Sequence, residues 1–388
     1  MTSLPGLLAD IRTLVECESP SSDLAAVARS AEVVARVGAA HLGREPERIV
    51  LDGVTHLRWR PLEGPGRVLL LGHHDTVWPL GSLAARPCTI TNTSPDTGAG
   101  PVLRGPGCFD MLAGLAMAFH AAVGLEGVTI LVTGDEELGS PTSRGLVEEE
   151  ARRCDAVLVL EASADGGALK TERKGVSLYD VGVRGHAAHA GLEPERGINA
   201  TVELAHQVLA VTRLADPAAG TTVTPTLAGA GTTTNTVPAA GAFSVDVRVR
   251  TIAEQERVDA AMRALRPVLP GAQLEITGGP NRPPLEASAS AGLLARAHRV
   301  AESLGLEPLT TAAVGGASDG NFAAGVGTPT LDGLGAVGGG AHAEHEHVLV
   351  DRLVDRTRLL RGLLVDLLTD PPTTDRPDLR ASATATRP

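Results

Sequence analysis

The stretch VLLLGHHDTV, residues 68–77, decides how this chain is read. Val68–Leu71 is an apolar run too short for a helix, and it stops at Gly72 before His73, His74 and Asp75. The same figure recurs twice downstream. Val128–Val132 leads into TGDEE, which holds Glu136 and Glu137, and Val157–Leu160 leads into Glu161. Runs of this kind mark strands buried on both faces of a parallel sheet. In open α/β sheets, ligands bind beyond the carboxyl ends of the strands. All three polar clusters fall at such ends, so one shared site is expected there.

Working outward, Leu112–Val123 has the spacing of a crossover helix. The pattern changes near Lys174. Val176–Arg184 and Ala242–Val249 alternate apolar with polar or small residues, as half-exposed antiparallel strands do. Ile198–Leu214 and Ile252–Leu265 have helical spacing, and Pro283-Pro284 reads as a hinge. Leu293–Leu304 reads as a helix, Thr328–Leu331 as another core strand, and Asp351–Leu368 as a closing amphipathic helix. The expected architecture is an α/β catalytic domain, residues 1–173 and 285–388, interrupted by an α+β module at 174–284. The polar, proline-rich stretch 371–388 is expected to be a disordered tail.

Composition agrees with a globular chain. Of 388 residues, 43% are hydrophobic and 21% charged, which is neither disordered nor membranous. Aromatics are only 2%, so the core must be built from Ala, Val and Leu. A net charge of -12 argues against nucleic acid or an anionic membrane as partner. Asp10 and Arg12 interrupt the first apolar stretch, so no signal peptide is expected. The four cysteines lack CxxC spacing, which speaks against a disulfide framework. A cytoplasmic protein is expected.

The chemistry-bearing residues are His73, Asp75, Asp110, Glu136, Glu137, Glu161 and His342. Zinc takes imidazole nitrogen and carboxylate oxygen, and catalytic sites keep one position open for water. A zinc pair needs a bridging carboxylate plus further ligands on each ion. Asp110 could bridge, with His73 and Glu161 on one metal and Glu137 and His342 on the other. Asp75, two residues beyond His73 on an extended segment, shares its side and could orient the imidazole or a neighbouring catalytic group. Glu136 could take a proton from water and return it to a leaving nitrogen. Singly, each element has a bland reading as a surface loop or a solvated helix start. Their conjunction at consecutive strand ends carries the weight.

Seven segments in order extend this: LLLGHHDTV, LRGPGCFDM, TGDEELGS, VLEAS, GHAAHAG, GGASDGN and GGGAH. Together they resemble the motifs of the co-catalytic zinc exopeptidase and deacylase family, over about residues 10–370. That family contains glutamate carboxypeptidase, acetylornithine deacetylase and succinyl-diaminopimelate desuccinylase. The spacing is most similar to the glutamate carboxypeptidase branch. The resemblance implies His73, Asp110, Glu137, Glu161 and His342 as metal ligands, Asp75 as the supporting carboxylate and Glu136 as general base. It also implies two Zn2+ per subunit, with Co2+ or Mn2+ able to substitute. His189 in GHAAHAG matches the histidine that stabilises the tetrahedral oxyanion. Asn235 and Arg248 match the residues that hold a substrate α-carboxylate, a task suited to the guanidinium fork. One departure is visible: many relatives read DxKGG after the bridging aspartate, and this chain has Leu112 in place of the lysine.

The implied activity is hydrolysis of the C-terminal amide bond of a small peptide or N-acyl amino acid with a free carboxylate. The implied assembly is a homodimer through the inserted module. A pathway-specific N-deacylase is the alternative with the same chemistry. A non-catalytic small-molecule binder is the alternative from another class, and an intact general base speaks against it.

Overall fold

The computed structural model describes residues 3–92 and 100–372. The tail expected at 371–388 therefore lies outside the described residues from position 373 onward. The chain divides into two compact units. Unit 1 comprises Met1–Glu172, Ala287–Val314 and Ser318–Pro388; unit 2 comprises Arg173–Glu286 and the short piece Gly315–Ala317.

Unit 1 is organised by a six-stranded sheet. Its order is Glu47–Leu51, Val54–Trp59, Val128–Thr133, Val68–His73, Ala156–Val159 and Thr330–Leu331. The last four run parallel to one another, and the first two form an antiparallel hairpin along one edge. Every residue of Val68–His73 and Val128–Thr133 is buried, as continuous apolar runs require when helices cover both faces. The helix Ala113–Ala122 is buried almost all round and packs against the closing helix Val350–Thr369. The core is largely Ala, Val, Leu and Ile, with Trp59 meeting Phe119 edge to face. A smaller four-stranded sheet, unanticipated from sequence, orders Gly338–Gly339, His347–Leu349, Val102–Arg104 and Thr89–Thr91.

Unit 2 is a four-stranded antiparallel sheet with the order Thr222–Ala230, Ala240–Val249, Gly175–Arg184 and Gln273–Arg282. Alternation on the two middle strands puts Tyr179, Val181, Val183, Phe243, Val245, Val247 and Val249 on the buried face. The helices Ala200–Thr212 and Ile252–Arg263 cover that face through Val211, Val258 and Met262. Each helix starts on a side-chain cap, Asn199 and Thr251 respectively, which satisfies otherwise unpaired N–H groups of the first turn. Asn199, part of a sequon, is thereby engaged in structure. Ala188–His189 and Thr236–Val237 form a separate two-stranded ribbon.

Candidate metal centre

His73 closes its strand, and period-two alternation sends His73 and His74 to opposite sides. His74 is fully buried between Ser30 Oγ at 3.1 Å and the Thr55 carbonyl at 3.0 Å. Burial pulls its pKa down to about 4, so it is a neutral core residue. His73 turns the other way. Its Nδ1 donates to the Asp75 carbonyl at 2.9 Å in the neutral form, which leaves the Nε2 lone pair facing the carboxylates.

Asp75 is fully buried, with its two oxygens on different tasks. Oδ1 accepts the Glu136 N–H and Oδ2 the Glu137 N–H, each at 3.2 Å. Asp75 thus fastens the short turn Glu136–Leu138 to the end of the neighbouring strand. Oδ1 also lies 3.4 Å from His73 Nδ1, so a single carboxylate orders the imidazole and both glutamates.

Asp110 lies between two imidazoles. Its Oδ1 is 3.4 Å from His73 Nε2, and its Oδ2 is 3.3 Å from His342 Nε2. Glu161 Oε1 adds to the first side at 3.6 Å from His73, and Glu137 Oε1 to the second at 3.1 Å from His342. The ligand atoms of His73, Glu136 and Glu161 also lie within 4.8 Å of one another. His73 Nε2 and Asp110 Oδ1 are buried without hydrogen-bond partners. Unpaired buried polar atoms are costly, and a cation between them would satisfy both. Two imidazoles and three carboxylates, arranged as two ligand groups sharing Asp110, fit the donor preferences of zinc.

Electrostatics reinforce that fit. Burial opposes charge on His73, but Asp110, Asp75 and Glu136 outweigh it and raise its pKa well above the usual value. Asp110 and Glu137 push His342 up to about 10, against partial burial. Burial disfavours ionised Asp110, yet the two histidines hold it well below the usual carboxylate range. A site that draws protons onto its histidines draws cations for the same reason.

Several supports were not legible beforehand. Glu346, 3% exposed, accepts the N–H groups of Gly107, Phe109 and Asp110 at 2.9, 2.9 and 3.0 Å and the Trp78 indole N–H at 2.7 Å. It therefore holds the loop that presents Asp110. Behind the Glu136–Leu138 turn, buried Asp135 accepts from Thr142 and Ser143, while Asp319 accepts from Thr133 and Ser140. Those bonds give GGASDGN a structural task. Gly114 follows from close packing, since a Cβ there would stand 2.3 Å from the Leu160 carbonyl oxygen. Leu112 is 2% exposed and belongs to the hydrophobic core. His342 sits in a left-handed turn with φ 61° and is exposed. His347 is a buried strand residue.

The other three candidate residues belong to unit 2. The ribbon pairs His189 with Thr236, and the Ala190 N–H donates to the Asn235 carbonyl at 2.9 Å, so His189 and Asn235 are neighbours. His189 Nδ1 accepts the N–H groups of Gly191 and Leu192, each at 3.1 Å. Its proton is therefore on Nε2, the form that can donate outward. Arg248, on the sheet face opposite the unit 2 core, grips Asp246 with Nε and Nη2 at 2.8 and 2.9 Å.

Fold and site define a metal-dependent hydrolase of the metallopeptidase class. The chain belongs to Peptidase family M20/M25/M40, whose model matches residues 69–366. It is 32% identical over 324 residues to carboxypeptidase G2 of Pseudomonas sp. (strain RS-16), covering 78% of this chain and 74% of that one. Among solved structures it is similar to aminopeptidase PepT of Bacillus cereus, with TM-score 0.70, 21% identity and coverage of 94% and 99%. It is also similar to an M20 family metallo-carboxypeptidase of Sulfolobus solfataricus, with TM-score 0.67, 16% identity and coverage of 92% and 98%. A dinuclear metal binding peptidase of Bacillus subtilis gives TM-score 0.63 and 15% identity, with coverage of 94% and 98%.

Proposed function

We propose that this protein is a two-zinc carboxypeptidase-like amidohydrolase that removes the C-terminal amino acid from small peptides or N-acyl amino acids. In this reading, His73, Asp110 and Glu161 hold one ion, and Asp110, Glu137 and His342 hold the other. Bound zinc supplies an acidified water and polarises the scissile carbonyl. Glu136 takes the proton of the attacking water and delivers it to the leaving nitrogen. His189, with Nε2–H available, donates to the developing oxyanion. Asn235 and Arg248 receive the substrate α-carboxylate, for which Arg248 must loosen its hold on Asp246.

The observation that carries this reading is the placement of Glu136. It is buried beside His73 and Glu161, its backbone tied to Asp75, and it is not needed to complete either ligand group. The similarity to carboxypeptidase G2 supports the substrate class. Two zinc ions accord with the paired arrangement about Asp110. A homodimer through unit 2 is supported by apolar residues on its surface: Leu227 on the edge strand is 72% exposed, and Leu209 on the adjoining helix 59%. A reducing, cytoplasmic setting suits four cysteines that form no disulfide. Among the described residues, no helix is long and apolar enough to cross a membrane.

Glu136→Gln tests the assignment. It should leave metal content unchanged and lower turnover of N-acyl amino acids by something like 10²–10⁴-fold. Near-normal turnover would remove Glu136 as the base. A panel of N-acyl amino acids separates the readings, because a carboxypeptidase accepts varied acyl groups on one amino acid and a pathway deacylase the reverse.

A further inference from the structure

Unit 1 holds a second convergence of ligand atoms, separate from the residues above. Asp10 lies on the helix Leu4–Val15, His41 on Leu24–Leu42 and His120 on Ala113–Ala122. Asp10 Oδ2 is 2.7 Å from Nε2 of both histidines. The imidazole centroids are 4.1 Å apart, with the rings tilted at 45°. The side chains are 23% exposed for Asp10 and His41 and 9% for His120, so the cluster is shielded yet reachable by water.

We propose that Asp10, His41 and His120 form an additional binding site for one divalent cation of the zinc class. Two imidazole nitrogens from two helices already converge on one carboxylate oxygen from a third. Zinc bonds of about 2.0–2.2 Å place tetrahedral ligand atoms roughly 3.3 Å apart, so Asp10 need withdraw by only about half an ångström. The partly open side leaves the fourth position to water. Both histidines occupy the last turn of their helices, where the backbone carbonyls present a partial negative charge that favours a cation. Burial lowers the pKa of His120, outweighing Asp10, which favours the neutral ligand form. Mixed nitrogen and oxygen donors select zinc, copper, nickel or cobalt over calcium and magnesium, which take oxygen. An ion here would clip the first helix to two helices of the main core and leave the catalytic residues untouched.

The test adds zinc chloride to holoenzyme and to a His41→Gln/His120→Gln variant, followed by desalting and metal analysis. Wild type should retain about one equivalent more than the variant, and zinc should raise its thermal midpoint while barely moving that of the variant. Turnover should be equal in the two proteins. Reading the difference removes the load of the catalytic centre and of adventitious sites such as exposed His345, so failure of the two-zinc reading and failure of this one stay distinct. If the double variant does not fold, Asp10→Asn replaces it, since an amide keeps a hydrogen-bonding oxygen but binds zinc poorly. Equal metal retention by wild type and the variant overturns the proposal.

Discussion

Glu346 receives the backbone N–H of Asp110 at 3.0 Å and so fixes, from its own loop, the carboxylate that lies between His73 and His342. The same side chain collects three further donors, among them Trp78 Nε1. A buried carboxylate facing only donors cannot be replaced by an amide without setting N–H against N–H. Glu346→Gln should therefore weaken metal binding by about 10–100-fold, as loss of a ligand-orienting partner does. Chelator competition followed by metal analysis reads this directly. Unchanged retention would make Glu346 a loop anchor with no bearing on the centre.

Much of the centre was legible because it obeys a local rule: a short apolar run ending in a polar cluster at a strand's carboxyl end. His73, Glu136, Glu137 and Glu161 all follow it. Glu346 does not, because between two histidines it reads as one more charged loop residue, and its partners lie more than 200 positions away in sequence. His41 and His120 are hidden for the same reason, each being a single histidine on its helix and far in sequence from Asp10. The edge hairpin Glu47–Leu51 and Val54–Trp59 was missed although a signal existed. Asp52-Gly53 joins the strands with φ of 48° and 85°, the positive values that favour Asp-Gly in two-residue hairpins. Charged residues on those strands masked the alternation. The parallel core was readable, but its antiparallel edge was not.

Arg248 gives a substrate-side prediction. Its guanidinium is held by Asp246 on the same strand, two residues away and therefore on the same face, and a substrate carboxylate has to compete for it. Arg248→Ala should raise KM strongly for substrates with a free α-carboxylate, while amidated analogues should already be poor and change little. Lysine should rescue only in part, because a point charge lacks the fork. If the unaltered protein cleaves carboxylate and amide substrates equally well, Arg248 is no clamp.

His189 gives a prediction about assembly. Its Nε2–H needs to come within about 2.7–3.1 Å of the oxyanion to be useful. The proposed route is across a dimer formed by unit 2, where exposed apolar residues and an unpaired edge strand would otherwise invite uncontrolled association. Inactive Glu136→Gln and His189→Ala chains, dissociated and mixed in equal amounts, should then regain up to about a quarter of wild-type activity. Random pairing makes half the dimers mixed, each with one intact site. No recovery, with exchange verified by mass labelling, would place the action of His189 within its own chain.

The raised histidine pKa values predict how the metal-free protein meets its ions. Asp110 and then Glu137 lift His342 to about 10, and carboxylates lift His73 well above its ordinary value despite burial. A group whose folded pKa is raised lends stability that is fully present below its unfolded value, near 6.5, and is lost as pH climbs through the folded one. Metal-free protein should therefore lose stability as pH rises from about 7 through 10, and metal-loaded protein should not share that decline. At pH 8 the His342 imidazole, lifted to about 10, still carries a proton that a metal must displace, and the upward shift of His73 acts in the same direction, while Asp110, held well below the usual carboxylate range, releases none. Loading with zinc chloride should thus release at least about one proton per chain, and affinity should fall on the order of tenfold for each unit that pH is lowered, per proton displaced. Calorimetry in buffers of different ionisation enthalpy measures that release. A binding enthalpy independent of the buffer would mean that the histidines are already neutral and that the carboxylates do not charge the site as described.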